Sequence, residues 1–213
     1  MTAQGTALAA LRADLRDGFL TPGDQVVQET LAGRYGVSRV PLREALKTLE
    51  AEGQVVYHPN RGYFVTELRV ADLLEVYRLR ELLEAEAISV AVPALSDEDV
   101  DAFAELLHDV DVASAAGDVE TLTAANRRFH FAIFDAAGLP RLSRLLRQLW
   151  DATDAYRSLY FASTVNRARV DREHAAMLAA LRRRDAERVI RLHDEHRRRS
   201  VAAVRAQLEQ EQP

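Results

Sequence analysis

The sequence predicts a mainly α-helical protein, with a small winged helix-turn-helix at the N-terminus and an all-helical bundle of about six helices after it. Three observations predict this fold. Short helical patterns broken by Gly and Pro occupy residues 6–52, two short runs of β-forming residues follow at 54–57 and 63–65, and long helical patterns with almost no strand signal fill the rest. We therefore place the domain boundary near residue 68, with domains at 1–68 and 69–213.

The N-terminal pattern predicts three helices and a hairpin. Leucines at helical spacing indicate a first helix over residues 6–17, and a second is expected at Glu29–Tyr35. A third should run over Arg39–Glu52, with Ser38 as its N-cap accepting hydrogen bonds from the first-turn amides. The two β-forming runs flank the turn His58–Gly62, which predicts a hairpin with a basic tip.

Bulk composition restricts the function. The 213 residues carry a formal net charge of −5 and no cysteine. No stretch resembles a signal peptide or stays apolar for the roughly 20 residues that a membrane span requires. We therefore expect a cytoplasmic protein without disulfides, in which any metal ligands are nitrogen and oxygen atoms. The acidic balance counts against a nucleic-acid partner unless positive charge is concentrated in one place.

The predicted third helix concentrates positive charge in that way. Its apolar residues, from Leu42 to Leu49, share one face, while Arg39, Arg43 and Lys47 recur every fourth residue on another. An α-helix fits the major groove of DNA, where Arg side chains bind guanine edges or phosphates, and a basic hairpin tip such as Arg61 reaches the backbone or the minor groove. From periodicity alone, an ordinary solvated helix face explains the stripe equally well.

The segment Leu11–Val65 resembles the winged helix-turn-helix of the GntR family. The resemblance rests on the strings LAGRYGVSR, PLREAL, LEAEG and NRGYFV. It implies a homodimer that binds a pseudo-palindromic operator in double-stranded DNA. Val40 stands where the family commonly has Thr, so a hydroxyl that could bind a phosphate is absent and the operator preference is expected to differ. The predicted DNA-contacting residues are Ser38, Arg39, Val40, Arg43, Lys47, Arg61 and Gly62.

In the C-terminal domain, helical periodicity turns several polar side chains inward. Asn126 and His130 lie on the apolar stripe of one helix, His174 lies on that of another, and His196 on that of the last. A single inward histidine is usually a hydrogen-bonded core residue. Three of them with an amide suit a divalent ion such as zinc or nickel.

Residues from about 70 to 208 resemble the all-helical effector domain of the FadR subfamily, which is of the FCD type. Many such domains bind a divalent metal through one carboxylate or amide and three histidines, and the matching positions are Asn126, His130, His174 and His196. The family more often has Asp at the first position, so weaker metal binding is expected here. Three other histidines match no ligand position and are interpreted as surface or structural: His58, His108 and His193.

Arg80 is the candidate anchor for an anionic effector. It falls on an inward stripe, and an inward Arg needs an anionic partner, which Glu84 one turn later can supply. Our hypothesis is that a small organic-acid or sugar-acid effector completes the coordination of the metal, with Arg80 as a second anchor, and shifts the DNA-binding heads of a repressor. Two other classes stay open. One is a hydrolase-like enzyme in which the metal activates water, and the other is a helical interaction module whose arginines at 182–184 and 197–199 dock an acidic partner.

Overall fold

The computed structural model describes residues 2–67, 70–153, 157 and 160–211. The chain forms two compact units, one with the N-terminal helices and strands and one that begins at Val70. The two units differ in what they bury.

Three helices and a small sheet make up the first unit. In chain order its elements are α1 (Ala3–Arg16), β1 (Gln25–Val26), α2 (Gln28–Tyr35), α3 (Arg39–Ala51), β2 (Val55–His58) and β3 (Gly62–Val65). The sheet has the order β1-β3-β2, and both neighbouring pairs are antiparallel. The helix α2 ends at Gly36, whose φ of 65° is a left-handed conformation that glycine adopts without a steric penalty.

The core of the first unit is apolar. Leu11 of α1 and Leu42, Leu46 and Leu49 of α3 are fully buried, and α1 packs against α3. The leucine face of α3 is therefore fixed toward the core, because each such leucine stabilises the fold by about 2–5 kcal/mol relative to alanine. As a result, the opposite face of α3 stays in solvent.

The structure corrects three details of the sequence prediction for this unit. The strand β1 was not predicted, because two residues are too few to show an alternating pattern, yet it pairs with β3. His58 and Gly62 pair with each other in the β2–β3 ladder, so the turn between the strands holds only three residues. Ser38 occupies the N-cap position of α3, but its side chain accepts no capping hydrogen bond.

Six long helices dominate the described part of the second unit, in agreement with the predicted bundle. They are α4 (Val70–Ala91), α5 (Asp97–Ala116), α6 (Val119–Asp135), α7 (Pro140–Asp151), α8 (Thr164–Arg182) and α9 (Ala186–Glu211), with a 3-10 turn at Val92–Ala94. A capping box of Ser96 and Asp99 starts α5. Among the described residues, no helix has the length and apolar character that crossing a membrane requires.

The interior of the second unit contains charged and polar side chains. α4 packs against α6 and α9, and α8 packs against α5 and α9. Many side chains that these helices turn inward are ionisable or amide groups rather than hydrocarbons. The buried ones that matter for function are Arg80, Glu84, Asn126, His130, Arg157, His174, His193, His196 and Arg197.

Candidate functional sites

The exposed face of α3 carries most of the side chains predicted to contact DNA. Ser38, Arg39, Val40, Arg43 and Lys47 are all exposed. The buried leucines on the opposite face hold them in that orientation. Val40 is 60% exposed, which leaves an apolar surface among the cations. The helix thus offers cations and one aliphatic side chain to whatever groove it enters.

Two of these cations pair with acidic neighbours. Arg39 Nη2 lies 2.5 Å from Oε1 of Glu29, and Lys47 Nζ lies 3.0 Å from Oε1 of Glu44. Both pairs are exposed, and an exposed ion pair contributes only about 0–1 kcal/mol. A DNA phosphate or a guanine edge can therefore replace either carboxylate at little cost.

The tip of the hairpin presents Arg61. Its guanidinium lies over the ring of Phe64, 5.0 Å from the ring centroid, and Gln25 Nε2 donates to the Arg61 carbonyl oxygen at 2.7 Å. Asn60 and Gly62 on either side have φ of 64° and 91°, so the tip turns through left-handed conformations. Arg61 is exposed at this tip.

The four predicted metal ligands come together inside the second unit. One ring nitrogen from each of His130, His174 and His196 lies within 4.8 Å of the others. His130 Nε2 and His174 Nε2 are 3.1 Å apart. Asn126, one turn before His130 on α6, lines the same cavity as His130 and His196.

This arrangement fits a divalent ion. With metal–nitrogen bonds of about 2.0–2.1 Å, two ligand nitrogens lie about 3.3 Å apart on a tetrahedral ion and about 2.9 Å apart on an octahedral one. The 3.1 Å between the His130 and His174 nitrogens lies between these values. Asn126 Oδ1 is buried and accepts no hydrogen bond from the described residues. Such an oxygen destabilises a fold by about 1–3 kcal/mol unless a donor or a cation satisfies it.

A carboxylate contacts the Nδ1 side of the His196 ring. Its Nδ1 lies 2.7 Å from Oε2 of Glu173, whose other oxygen accepts from Arg199 at 2.5 Å. Burial favours the neutral form of Glu173, but the bonds from His196 and Arg199 lower its pKa overall. Because an ionised carboxylate only accepts, it favours the tautomer of His196 that has the proton on Nδ1 and the lone pair on Nε2. This is the carboxylate–histidine arrangement that orients metal ligands.

His130 and His174, two of the predicted ligands, are neutral. Burial lowers the pKa of both His130 and His174 well below the ordinary value, and the neighbouring histidines lower it further. Each imidazole therefore keeps a lone pair at neutral pH, as a metal ligand must.

His193 belongs to the cluster, although sequence reasoning assigned it only a surface or structural role. It is 2% exposed, and its Nε2 lies 3.1 Å from His130 Nδ1. A surface position is thus wrong for this residue, whereas His58 and His108 are exposed. The signal was present in the sequence, because His193 is four residues from buried Val189 and therefore on the inward face of α9.

Glu84 is a fully buried carboxylate at the centre of the charged interior. It accepts hydrogen bonds from Arg80 Nε at 2.9 Å, Trp150 Nε1 at 2.7 Å and Arg197 Nη1 at 2.7 Å. Burial would raise its pKa, but Arg80, His193 and Arg197 outweigh burial and lower the pKa to about 2. Glu84 is therefore ionised, and it is the partner that the sequence suggested for Arg80.

Arginines and aromatic rings line the cavity beside the histidines. Arg80 and Arg157 both lie over the ring of Trp150, at 4.3 Å and 4.0 Å from the ring centroid. Arg197 and Tyr160 line the same cavity. Glu84 pairs with Arg80 and Arg197, and the half-buried Asp194 also pairs with Arg197, so carboxylates offset part of the charge of the three buried guanidinium groups.

Comparisons with known protein families match both parts of the chain. The model described as bacterial regulatory proteins of the gntR family matches residues 3–65, and that of the FCD domain matches residues 75–199. The HTH-type transcriptional regulator McbR of Escherichia coli (strain K12) is 33% identical over 181 residues, which is 83% of this chain and 81% of McbR. The HTH-type transcriptional repressor GlaR of the same strain is 29% identical over 194 residues, 87% of this chain and 88% of GlaR.

Solved structures agree with these relatives. The structure of E. coli McbR/YncC has a TM-score of 0.87 at 28% identity and covers 97% of this chain and 99% of that chain. A GntR transcriptional regulator of Rhodococcus sp. RHA1 has the same fold, with a TM-score of 0.84 at 22% identity over 96% of this chain and 98% of that chain. The fold and the exposed cationic helix define a winged helix-turn-helix transcriptional regulator with a helical FCD domain. The chain belongs to the GntR family.

The relatives and the structure bear on the two other classes suggested by the sequence. The relatives are transcriptional regulators and not enzymes, which removes the hydrolase-like class. Among the arginines proposed to dock an acidic partner, Arg184 pairs with Asp97 at 2.6 Å and Arg199 pairs with Glu173 within the second unit, whereas Arg182 and Arg183 are exposed. Arg197 is itself buried against Glu84.

Proposed function

We propose that this regulator is a repressor whose operator affinity is set by a small carboxylate bound beside a divalent metal in the helical unit. The observation that carries the proposal is that Asn126, His130 and His196 line one cavity together with buried arginines, and that His174 completes the histidine cluster. The repressor GlaR among the relatives supports repression. We also propose that the two compact units are domains at 1–68 and 69–213, and that the protein acts in the cytoplasm, where its DNA is.

The DNA-binding half of the proposal rests on α3 and the hairpin tip. Arg39, Arg43 and Lys47 would enter the major groove, and Arg61 would reach the backbone or the adjacent minor groove. Ser38, Val40 and Gly62 complete the proposed contact surface. Because the protein is acidic overall, with a formal net charge of −5, sequence-independent binding should be weak.

The effector half of the proposal rests on the donor set of the cavity. Asn126, His130, His174 and His196 would hold the ion, for which zinc or nickel is the best match to one oxygen and three nitrogens. When bound, the ion supplies a Lewis-acidic centre that attracts a carboxylate oxygen. An amide in place of a carboxylate at position 126 leaves the charge of the ion undiminished, which favours an anionic ligand.

Arg80 and Arg157 would hold the remainder of the effector. A guanidinium recognises a carboxylate with two parallel hydrogen bonds, so an organic acid or a sugar acid suits them. Arg80 also supports Glu84, and replacing it would break a buried ion pair. Arg157→Gln is therefore the more direct test of anion binding, and Arg128→Gln at an exposed position of α6 is its control.

Metal content is the first measurement. The purified protein should contain a stoichiometric divalent ion, and changing both His130 and His174 to Ala should remove it. His108→Ala, on the exposed face of α5, should not. Metal-free protein that responds fully to its effector would exclude the ion from the mechanism.

Effector binding is the second measurement. Calorimetry on Zn²⁺-loaded protein with a panel of small organic acids and sugar acids should identify a ligand that Arg157→Gln weakens and Arg128→Gln does not. The same ligand should lower the affinity of the protein for a DNA fragment that it selects from a random library, by the factor that linkage requires. No binding across the panel would refute the carboxylate proposal.

A homodimer is the proposed assembly, and α4 offers a surface for it. Leu79, Leu82 and Val90 are 43%, 53% and 41% exposed and fall on one side of the helix at helical spacing. A second copy would bury this apolar stripe. Leu79→Lys combined with Leu82→Lys should convert a dimer to a monomer in analytical ultracentrifugation, whereas Arg78→Lys on the same helix should not.

A further inference from the structure

His193 contacts His130 through the ring nitrogen that His130 does not direct toward His174. His130 uses Nε2 toward His174 and Nδ1 toward His193, with both nitrogen–nitrogen distances at 3.1 Å. The rings of His130 and His193 are nearly perpendicular, at 89°. His193 therefore contacts the one nitrogen of His130 that an ion would not use.

Glu84 decides which way the protons point along this row. His193 Nδ1 lies 3.4 Å from Glu84 Oε2, an electrostatic contact that does not meet hydrogen-bond geometry. Arg80 and Arg197 keep Glu84 ionised, and a carboxylate can only accept. A lone pair of His193 facing that carboxylate would be repelled. The proton of neutral His193 thus belongs on Nδ1, and its Nε2 becomes an acceptor.

An acceptor at His193 Nε2 determines which nitrogen of His130 carries the proton. The His130 proton must sit on Nδ1 to donate across the 3.1 Å contact, which leaves the lone pair of Nε2 pointing toward His174 and the ion site. The reverse order would place the His130 proton on Nε2, where it would block ligation. The row Glu84–His193–His130 thus does for His130 what Glu173 does for His196.

We propose that His193, backed by the buried carboxylate of Glu84, is a positioning residue that holds His130 in the tautomer and orientation that bind the metal. The inference rests on the proposed metal site and goes beyond it, because His193 is not itself a ligand. It also joins two parts of the site, since Glu84 supports both His193 and the effector anchor Arg80.

Zn²⁺ affinity of three variants tests the proposal. In competition with a chelator, His193→Leu should bind Zn²⁺ about 10- to 100-fold more weakly than wild type, the usual effect of losing a group that orients a ligand. His193→Gln should recover most of the loss, because its amide oxygen can accept from His130 Nδ1. His108→Leu, at an exposed position, should match wild type. Equal Zn²⁺ affinity of His193→Leu and wild type would overturn the proposal, as would equal losses in the Leu and Gln variants.

Nitrogen NMR of the metal-free wild-type protein gives a second readout that needs no variant to fold. His130 should be protonated at Nδ1, and finding its proton at Nε2 would overturn the proposal. A failure of the proposed function can be distinguished from a failure of this inference. If the wild-type protein bound no Zn²⁺, both the proposed metal site and this inference would be refuted. If it bound Zn²⁺ with an affinity that the substitutions of His193 did not change, only this inference would be refuted.

Discussion

The candidate functional residues lie on the surface of the first unit and in the interior of the second. In the first unit the core is leucine-rich, and the side chains that would meet DNA project from the outer face of α3. In the second unit the groups that would meet metal and effector are inside, among them His130 at 1% and His174 at 0% exposure. Stability and function should therefore be separable in the first unit and coupled in the second.

The largest effect is expected at Glu84. Glu84→Gln removes the buried negative charge that pairs with both Arg80 and Arg197, and breaking a buried ion pair destabilises a fold by about 3–5 kcal/mol. Urea unfolding followed by the fluorescence of Trp150, the single tryptophan of the chain, should report this loss in the second unit. Glu86→Gln, at an exposed position of the same helix, should change little. Equal stability of the two variants would break the proposed coupling.

Acid should destabilise the second unit in metal-free protein. Burial first, then neighbouring charges, lower the pKa of His130, His174 and His193, the last to about 3. Because these folded-state values lie below the unfolded one, the unfolded chain takes up protons first as the pH falls. Stability is then complete above about pH 6.5 and declines by up to about 1.4 kcal/mol per pH unit for each histidine. Trp150-monitored unfolding with a chelator at pH 7.5 and 5.5 should show the decline, and equal stability at the two values would contradict it.

In the first unit, Arg39→Ala and Arg43→Ala should separate binding from stability. Each should weaken operator binding by about 1–3 kcal/mol, because a cation that reads a base or a phosphate is lost. The thermal unfolding midpoint should stay near that of wild type, since both side chains are exposed. Fluorescence anisotropy with a selected operator measures the first effect and calorimetry the second. Arg128→Ala serves as a control for charge alone, and unchanged affinity in both α3 variants would refute the assigned recognition helix.

The smallest effect is expected at Val40. Its exposed isopropyl group can contact a thymine methyl, whereas Thr at this position adds a hydroxyl for a phosphate. Val40→Thr should change the preferred operator sequence with a change in total affinity below about 1 kcal/mol, since one hydroxyl contact contributes about that much. Selection from a random DNA library with both proteins would reveal the change, and identical selected sequences would assign Val40 no role in specificity.

The sequence by itself determined the helices, the hairpin and the inward face of each ligand-bearing helix. Hydrophobic spacing and the positions of Gly and Pro are local properties of a sequence. The apolar residues from Leu42 to Leu49 therefore indicated both the buried face and the exposed face of α3. Helical spacing likewise predicted that four polar residues point inward, namely Asn126, His130, His174 and His196. Helical spacing also predicts an inward His193, because this residue lies four positions after Val189 on the same face of the helix. The two-residue strand β1 was beyond its reach, because its pairing with β3 joins distant parts of the chain.

Only the tertiary structure decided which inward groups touch. Periodicity along α4 and α9 cannot show that Glu84 meets Arg197, Trp150 and His193, because these contacts span 66 to 113 positions in the sequence and depend on how three helices pack. Nor can it assign Nδ1 of His130 to one neighbour and Nε2 to another. The direction of a proton along a row of buried histidines depends on the nearest charge, and that charge is brought there by packing.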